Sequence, residues 1–541
     1  MADLIEVPPP SRRPRTLALL ACVALALALV AIAADAPHLG TTGTTARAAG
    51  SSTDEVRIGS NAPATLDPAA SGDVDSAAVT AQLYESLTTF DASLTLRPAL
   101  ASSWSVSGDG KQVTFHLRPN LVFSDGSALT ADDVVGSWLR LVDPGSPSPL
   151  SALLLGIHGA ADRLAGRATD SSAVGIHAVD GAVVVDLDRP GSDFPAVVAS
   201  PSFGVVPPSV WRDHGAIPAT NQVVSGAYAI SAATDTELTF TSNPRYWAGK
   251  PAITTVHLIT DIGGRSPVAA FEAGDVDAIA IASNDASWIA YDPTLGPALR
   301  RVGDLSLTYL GFDTTRPPFD DARLRRAVGM AVDWSRIVAL GAGGGELPAT
   351  SMVPPGIPGA GNASWLPPHD PPAARAILAD LGHPMGGGLP PITFGAGGGA
   401  FAEGIAADLR KELGLTIRIE DDTDFYATLA TNPPAMWELG WIADYPGPND
   451  FLGVLLGTGS SSNPGKWSSA PFDQAVADAL AAPDQATAQA GFERALGVVQ
   501  SDVPAVPLAY ADSWALSRTG LLGAGENGLG VKRFASLAWA P

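Results

Sequence analysis

The sequence predicts an α/β fold of more than one domain, and three observations support this. The chain has 541 residues, and 46% of them are hydrophobic, which is enough for a large core. From about residue 55 onward, segments with strand alternation and segments with helical spacing follow each other, as in proteins whose helices pack on a sheet. The 57 glycines and 46 prolines favour many turns and loops over a helical bundle.

The first 54 residues have the pattern of a leader and a linker. A cluster of three arginines between positions 12 and 15 precedes an uncharged apolar run from Thr16 to Ala34. Residues 1–35 are therefore predicted to be a signal peptide or a membrane anchor, and residues 36–54 a flexible tether. The single cysteine, Cys22, ends a pattern that resembles a lipobox, so lipidation is a third alternative. All three place the rest of the chain outside the cytoplasm, anchored to the plasma membrane or secreted.

The charge and the reactive residues exclude several classes of function. A net charge of -23 repels phosphate backbones, so no nucleic-acid partner is expected. Since the only cysteine lies in the leader, the rest of the chain has no disulfide and no thiolate metal site. The eight histidines form no metal-spaced pair, and neither a Gly-x-Ser-x-Gly elbow nor a Walker A motif occurs. No cofactor and no metal are therefore expected.

One stretch predicts a strand, a turn and a helix in quick succession. Apolar residues alternate with polar ones from Val113 to Leu117, and a second short strand is predicted at Leu121–Phe123. Asp125-Gly126 is typical of a tight turn. Thr130 then begins a helix, with Asp133 as its capping-box partner.

Farther along the chain, helical and strand patterns alternate again. Residues 321–340 are predicted to form one helix, with Leu324, Val328, Ala331 and Ile337 on its inner face. The later patterns predict strands at 307–312 and 392–394 and helices at 373–381 and 402–413.

Eight short motifs follow one another between about residue 56 and the C-terminus. They are Leu66-Asp67-Pro68, Tyr84-Glu85-Ser86-Leu87, Pro98–Trp104, Ser225-Gly226-Ala227-Tyr228, Asn243–Trp247, Pro318–Ala327, Leu439–Tyr445 and Val506-Pro507-Leu508. In the same order, these motifs resemble segments of the family 5 extracellular solute-binding proteins, the oligopeptide and dipeptide receptors of ABC importers. Each motif alone is short, and the shared order of all eight makes the resemblance specific.

The resemblance implies a bilobed class II periplasmic-binding-protein fold, a "Venus flytrap", with an inserted extra domain. Lobe I is expected at residues 55–84, 208–307 and 509–541, the inserted domain at 85–207, and lobe II at 308–508. The resemblance also implies a monomer that closes around a short peptide held between the lobes. Such a receptor delivers its ligand to permease subunits, and separate ATPase subunits hydrolyse the ATP.

For the site, the resemblance assigns Asp444 to the α-amino group of the ligand. A carboxylate accepts charge-assisted hydrogen bonds from an ammonium, and in a dry cleft an unpaired charge is costly. The alternative is that Asp444 only caps the turn at residues 445–448.

The neighbouring residues resemble the strand edge that binds the main chain of an extended peptide. Trp441 either forms the wall of a side-chain pocket or belongs to the core. The predicted binding residues next to Asp444 are Gly440, Trp441, Ile442 and Tyr445, and those of the facing loop are Ser71, Gly72, Asp73 and Val74.

Two departures from the family affect the other end of the ligand. Some members have an arginine where this chain has Glu438, and some have an aromatic residue where it has Leu150. The group that receives the ligand's carboxylate is therefore not identified, and longer peptides, amides or non-peptide ligands stay open.

Three further functions remain as alternatives. The same receptor fold carries haem, a metal chelate or an oligosaccharide in some relatives, and a cell-envelope scaffold would keep the fold without transport. The residues from Gly395 to Ala400 fit the dinucleotide pattern G-x-G-x-x-A after a short strand, so an NAD(P)-dependent enzyme is the least favoured alternative. The chain is expected not to be an enzyme.

Overall fold

The computed structural model describes residues 52–341, 346–357, 364–397, 399–420, 424–482, 484–524 and 528–541. The predicted leader, the lipidation at Cys22 and nearly all of the predicted tether lie outside the described residues. Within the described ranges, no helix combines the length and the apolar character that crossing a bilayer requires.

Strands occur throughout the described chain and are numbered in chain order. They are β1 Glu55–Gly59, β2 Thr88–Phe90, β3 Leu96–Pro98, β4 Ala101–Val106, β5 Gln112–Leu117, β6 Ile176–Val179, β7 Ala182–Asp186, β8 Tyr228–Ala233, β9 Glu237–Ser242, β10 Thr255–Ile259, β11 Ala278–Ile281, β12 Leu299–Gly303, β13 Ser306–Phe312, β14 Glu346–Pro348, β15 Ile392–Gly395, β16 Ile417–Glu420, β17 Met436–Ile442, β18 Ala505–Ser517, β19 Leu521–Leu522 and β20 Ala538–Trp539.

The α-helices lie between these strands and are numbered in the same way. They are α1 Val74–Leu83, α2 Ala131–Leu139, α3 Ala160–Leu164, α4 Phe194–Val197, α5 Pro208–Trp211, α6 Pro267–Ala273, α7 Ser283–Ile289, α8 Ala322–Ala331, α9 Trp334–Gly341, α10 Pro371–Asp380, α11 Ala402–Leu413, α12 Phe425–Thr431, α13 Ala470–Leu480 and α14 Gln485–Asp502.

The largest sheet is mixed, and one long strand connects its two halves. The strand order is β16-β15-β17-β13-β18-β11-β1-β10-β9-β8, and β12 and β14 also pair with β18. The first part of β18 pairs with β13 and its last part with β11. This arrangement agrees with the predicted bilobed α/β class. The expected lobe boundaries after residues 307 and 508 fall inside β13 and β18, and the division into lobes at those points stays a prediction.

A separate four-stranded antiparallel sheet, in the order β4-β5-β7-β6, lies within residues 85–207. Its core is aromatic: Trp138 packs edge-to-face on both Phe115 and Phe203, with ring centroids 6.1 and 5.2 Å away. The indole Nε1 of Trp138 donates to the carbonyl of Phe203 at 3.0 Å, which satisfies its one donor inside the core.

The predicted strand, turn and helix near residue 125 are mostly present. The helix α2 begins after Thr130, whose backbone N–H donates to the carboxylate of Asp133 at 2.8 Å. The predicted strand at Leu121–Phe123 is wrong, because only Val122 forms an isolated bridge, to Ala128. The Asp125 side chain accepts from the backbone of Ser127 at 2.8 Å, so the chain turns back before a ladder can extend.

The predicted single helix at residues 321–340 is also wrong, since α8 and α9 are separate helices. Val332 is extended, with φ -93° and ψ 133°. The backbone N–H of Asp333 donates to Asp408 at 3.1 Å, and the Asp333 side chain accepts from the N–H of Arg336 at 3.1 Å. These tertiary and capping bonds favour a new helix start over continuation.

Candidate functional site

Part of the edge of strand β17 has no strand partner. On one side, β13 pairs with β17 along its whole length, from Met436 to Ile442. On the other side, β15 pairs only with Met436 and Trp437. From Glu438 to Ile442, that side therefore carries no neighbouring strand within the described residues. Such an edge offers N–H and C=O groups to an extended chain.

A cavity of about 460 Å³ lies beside this edge. Segments that are far apart in the sequence line it, and most of their side chains are apolar. The lining residues are 71–74, Ala77, Thr89, Phe90, Leu150, 199–202, 440–444, Leu529, Val531 and Arg533. The structure thus brings the predicted loop at residues 71–74 together with Gly440, Trp441, Ile442 and Asp444.

Two more cavities continue along the same strand. One of about 340 Å³ is lined by Val74, Thr308 and residues 440–442, and another of about 240 Å³ by Thr308, Glu438 and Gly440. Gly440 lines all three, and a Cβ built on it would meet no atom within 4 Å. The exposed strand edge is therefore bordered by open space on more than one side.

The carboxylate of Asp444 is half-buried in the cavity wall and has no ion pair among the described residues. Burial raises its pKa from 3.8 to about 6. In the part of the chain that the structure describes, no backbone N–H of residues 445–448 donates to it, so the turn-capping alternative receives no support. Above about pH 6 this group is a charged acceptor without a counter-charge.

Trp441 is held by a buried acid. Its indole Nε1 donates to Oδ2 of Asp450 at 3.1 Å, and the same oxygen accepts the backbone N–H of Asp444 at 3.1 Å. Trp441 is half-buried and lines two of the three cavities. The structure thus favours the wall of a pocket over a core position for this residue.

In the facing loop, backbone and apolar groups dominate. Oδ1 of Asp73 accepts the N–H of Ser76 at 2.8 Å and caps α1. A Cβ on Gly72 would lie 2.6 Å from Cβ of Pro149, so this close approach requires glycine. Val74 remains exposed beside the cavity.

Tyr445 lies outside the cavity lining. Its side chain is fully buried, and it packs with the aromatic core around Trp138. The hydroxyl donates to Asp193 at 2.6 Å and accepts from the amide of Asn449 at 3.0 Å. Tyr445 therefore anchors the loop after Asp444 and does not face the cavity.

The glycine-rich segment after β15 does not fit a dinucleotide. The segment lies against Glu438, since a Cβ on Gly399 would be 2.2 Å from the carboxyl carbon. Oε2 of Glu438 accepts the N–H of Phe401 at 3.2 Å, just before α11 begins. A pyrophosphate needs the N–H groups at the start of that helix, and here a carboxylate already occupies them. Burial raises the pKa of Glu438 to about 7.

Arg533 is a charged lining residue that the sequence did not reveal. Among the described residues that line the cavity of about 460 Å³, it is the one with a positive charge. Its Nη1 donates to the carbonyl of Ala81 at 3.0 Å and to Oε1 of Glu85 at 3.1 Å. Glu85 belongs to the Tyr84–Leu87 motif, but no local pattern connects it with an arginine 448 positions away.

Comparisons with known proteins give one consistent result. The family model described as "Bacterial extracellular solute-binding proteins, family 5 Middle" matches residues 95–463. A probable deoxycholate-binding periplasmic protein, YgiS of Escherichia coli strain K12, is 28% identical over 83% of this chain and 86% of its own. The periplasmic oligopeptide-binding protein OppA of Salmonella typhimurium is 29% identical over 82% of this chain and 84% of its own. The structure of the Escherichia coli murein tripeptide binding protein MppA superposes with a TM-score of 0.73 at 25% identity, and the match covers 91% of this chain and 99% of that one.

Proposed function

Because the chain belongs to the bacterial extracellular solute-binding proteins of family 5, we propose that it is the substrate-binding protein of an ABC importer and binds short peptides. The names of its relatives support a peptide ligand, since they include oligopeptide-, di/tripeptide- and murein peptide-binding proteins. The receptor binds and releases its ligand without chemical change, so it is not an enzyme.

One observation carries the proposal. The cavity of about 460 Å³ places an unpaired carboxylate, Asp444, next to the unpartnered edge of β17. An ammonium at Asp444 compensates the buried charge, and the edge from Glu438 to Ile442 hydrogen-bonds the peptide main chain. Main-chain bonds do not depend on side-chain identity, so this arrangement suits peptides of varied sequence.

Arg533 is the group that we assign to the ligand's carboxylate. Its side chain is 23% exposed and lines the same cavity as Asp444. Glu85 and the carbonyl of Ala81 hold the guanidinium in place, which reduces the entropy lost when an anion binds. A ligand with a free amine and a free carboxylate then finds an opposite charge for each end.

The test compares end-blocked ligands on charge-neutralised variants. Asp444→Asn should weaken trialanine binding about tenfold or more and leave N-acetyl-trialanine unchanged, measured by calorimetry. Arg533→Gln should do the same for trialanine against its C-terminal amide. Asp73→Asn is the matched control, because Asp73 lines the same cavity but uses its carboxylate to cap α1. If Asp444→Asn weakens both ligands equally, or neither, the amine role is wrong.

A bile acid is the second candidate ligand. The cavity lining is mostly apolar, with Phe90, Leu150, Ile442 and Val531 among its residues, and Arg533 suits a single carboxylate. Mass spectrometry of compounds that co-purify with the protein separates the candidates. Peptides support the main proposal, whereas deoxycholate or haem would replace the ligand and keep the fold.

The proposal includes the transport system around the receptor. Permease subunits receive the peptide, and separate ATPase subunits supply the energy. The protein acts outside the cytoplasm as a monomer, and its N-terminal segment connects it to the membrane through an uncleaved anchor or a lipid on Cys22. The lobes comprise residues 55–84, 208–307 and 509–541 on one side and 308–508 on the other, with 85–207 as the inserted domain.

A further inference from the structure

Asp450 is a fully buried acid that contacts the candidate site without lining it. It begins a π-helical turn, Asp450–Val454, and its relative exposure is 0%. Its Oδ2 accepts from two members of the site, the indole of Trp441 and the backbone N–H of Asp444, each at 3.1 Å. Its Oδ1 has no hydrogen-bond partner among the described residues.

The charged groups around Asp450 are also acids. Asp444 follows strand β17, and Asp193 precedes α4, with the hydroxyl of Tyr445 bonded to it at 2.6 Å. Both carboxylates oppose a charge on Asp450, and no cation of the described chain forms an ion pair with Asp450. Burial and the field of Asp444 raise the pKa of Asp450 well above its usual value. An ionised carboxylate in this position would be a buried charge without compensation.

We propose that Asp450 is a positioning residue that stays uncharged and holds Trp441 and the backbone of Asp444 in the geometry that binds the ligand's amine. The inference rests on the proposed function, because it explains why Asp444, and not Asp450, carries the negative charge that binds the ligand's amine. A neutral Asp450 accepts both N–H groups and adds no second negative charge beside Asp444. The site therefore has one carboxylate for binding and another for support.

Two substitutions separate positioning from charge. In Asp450→Asn, the amide oxygen can still accept both N–H groups, and the group is neutral at every pH. In Asp450→Ala, both acceptors are lost. We expect Asp450→Asn to keep trialanine affinity within about threefold, and Asp450→Ala to weaken it about tenfold or more. Equal losses in both variants, or no loss in Asp450→Ala, would overturn the positioning role.

The pH profile tests the charge state. If Asp450 is neutral, Asp450→Asn leaves the electrostatic environment of Asp444 unchanged, so trialanine affinity should follow the same pH curve as in the wild type between about pH 5 and pH 8. If Asp450 is ionised, the variant removes a neighbouring negative charge, and the curve shifts to lower pH. A shift of about one pH unit would contradict the proposal.

A readout without ligand distinguishes this inference from the proposed function. In protein labelled with ¹⁵N-tryptophan, the Trp441 indole resonance is assigned with Trp441→Phe. It should keep its position in Asp450→Asn and move in Asp450→Ala. Between about pH 5 and pH 8 it should follow one and the same pH dependence in the wild type and in Asp450→Asn, because Asp444 titrates there in both proteins and Asp450 in neither. A movement with pH in the wild type that Asp450→Asn lacks would overturn the inference even if peptides bind. Failure of all peptides to bind would reject the proposed function alone, because the resonance still reports on Asp450.

Discussion

At the scale of single residues, the surroundings of each carboxylate determine its role. Asp73 faces the cavity but is bound to the N-terminus of α1, so it is not available to a ligand. Asp444 has no such partner, and Asp450 is enclosed by other acids. Glu438 accepts backbone N–H groups at the start of α11. A carboxylate thus caps a helix at Asp73, has no counter-charge among the described residues at Asp444 and accepts N–H groups of its neighbours at Asp450.

Glu438 makes stability depend on pH. Its pKa rises from 4.5 to about 7, mainly through burial. The contribution of Glu438 to the free energy of unfolding is therefore complete below about pH 4.5. It is lost as the pH rises through 7, because the folded state then holds a buried charge. Glu438→Gln should be more stable than the wild type at pH 8 by up to about 3 kcal/mol, with the difference vanishing near pH 4.5. Urea unfolding at both pH values measures this.

The control for Glu438 is Glu403→Gln, on an exposed position of α11. This variant should change the free energy of unfolding by a similar small amount at both pH values. If the free energies of unfolding of the wild type and of Glu438→Gln change in parallel with pH, Glu438 carries no buried charge at pH 8.

At the scale of elements, the helix α2 shows how one side chain joins two segments. Asp133 is buried and accepts the N–H of Thr130 at 2.8 Å and the indole N–H of Trp211 at 3.0 Å. The first bond fixes the start of α2, and the second connects it with α5. Charge-assisted bonds of this kind are stronger than neutral ones.

Asp133→Ala should therefore lower the free energy of unfolding by about 2–4 kcal/mol, since it removes the acceptor of three donors, the N–H and hydroxyl of Thr130 and the indole N–H of Trp211. The neighbouring Asp132 is exposed and provides a matched control. Asp132→Ala should change stability by less than about 0.5 kcal/mol. Urea denaturation compares the two variants, and equal effects would mean that the hydrogen bonds of Asp133 contribute nothing beyond the charge at the helix start.

At the scale of the whole molecule, the two halves of the large sheet share few strands. The strand β18 runs through both halves. The consecutive strands β13 and β12 pair with its earlier and its later part, respectively. A few connecting strands with a ligand cavity beside them are typical of hinge closure. Binding is then expected to shift the population toward a closed form.

Solution scattering tests closure directly. Saturating trialanine should reduce the radius of gyration of the wild type, and the midpoint of thermal unfolding should rise because the ligand binds the folded state only. At a trialanine concentration equal to the wild-type Kd, Asp444→Asn should show much smaller changes of both kinds, because a site weakened about tenfold is then only about one-tenth occupied. A wild type that binds peptide without becoming more compact would favour the cell-envelope scaffold over the transport receptor.

Much of the fold followed from local pattern and motif order. The strand β5, the start of α2 at Thr130 and the strand β15 were predicted, because alternation and capping depend on nearby residues. The break between α8 and α9 was missed. It depends partly on a bond from Asp333 to Asp408, 75 positions away, and no helical period contains that information.

The sequence by itself determined the family, the α/β class and two of the segments that meet at the cavity, because motif order and periodicity are written along the chain. Only the tertiary structure decided which residues face the cavity: it turned Tyr445 into the aromatic core, bound Asp73 to a helix start and brought Arg533 to the lining. Only the tertiary structure also placed Asp450 behind Trp441 and Asp444. Burial and the direction of a side chain depend on distant neighbours, and these two properties set the charge that a ligand meets.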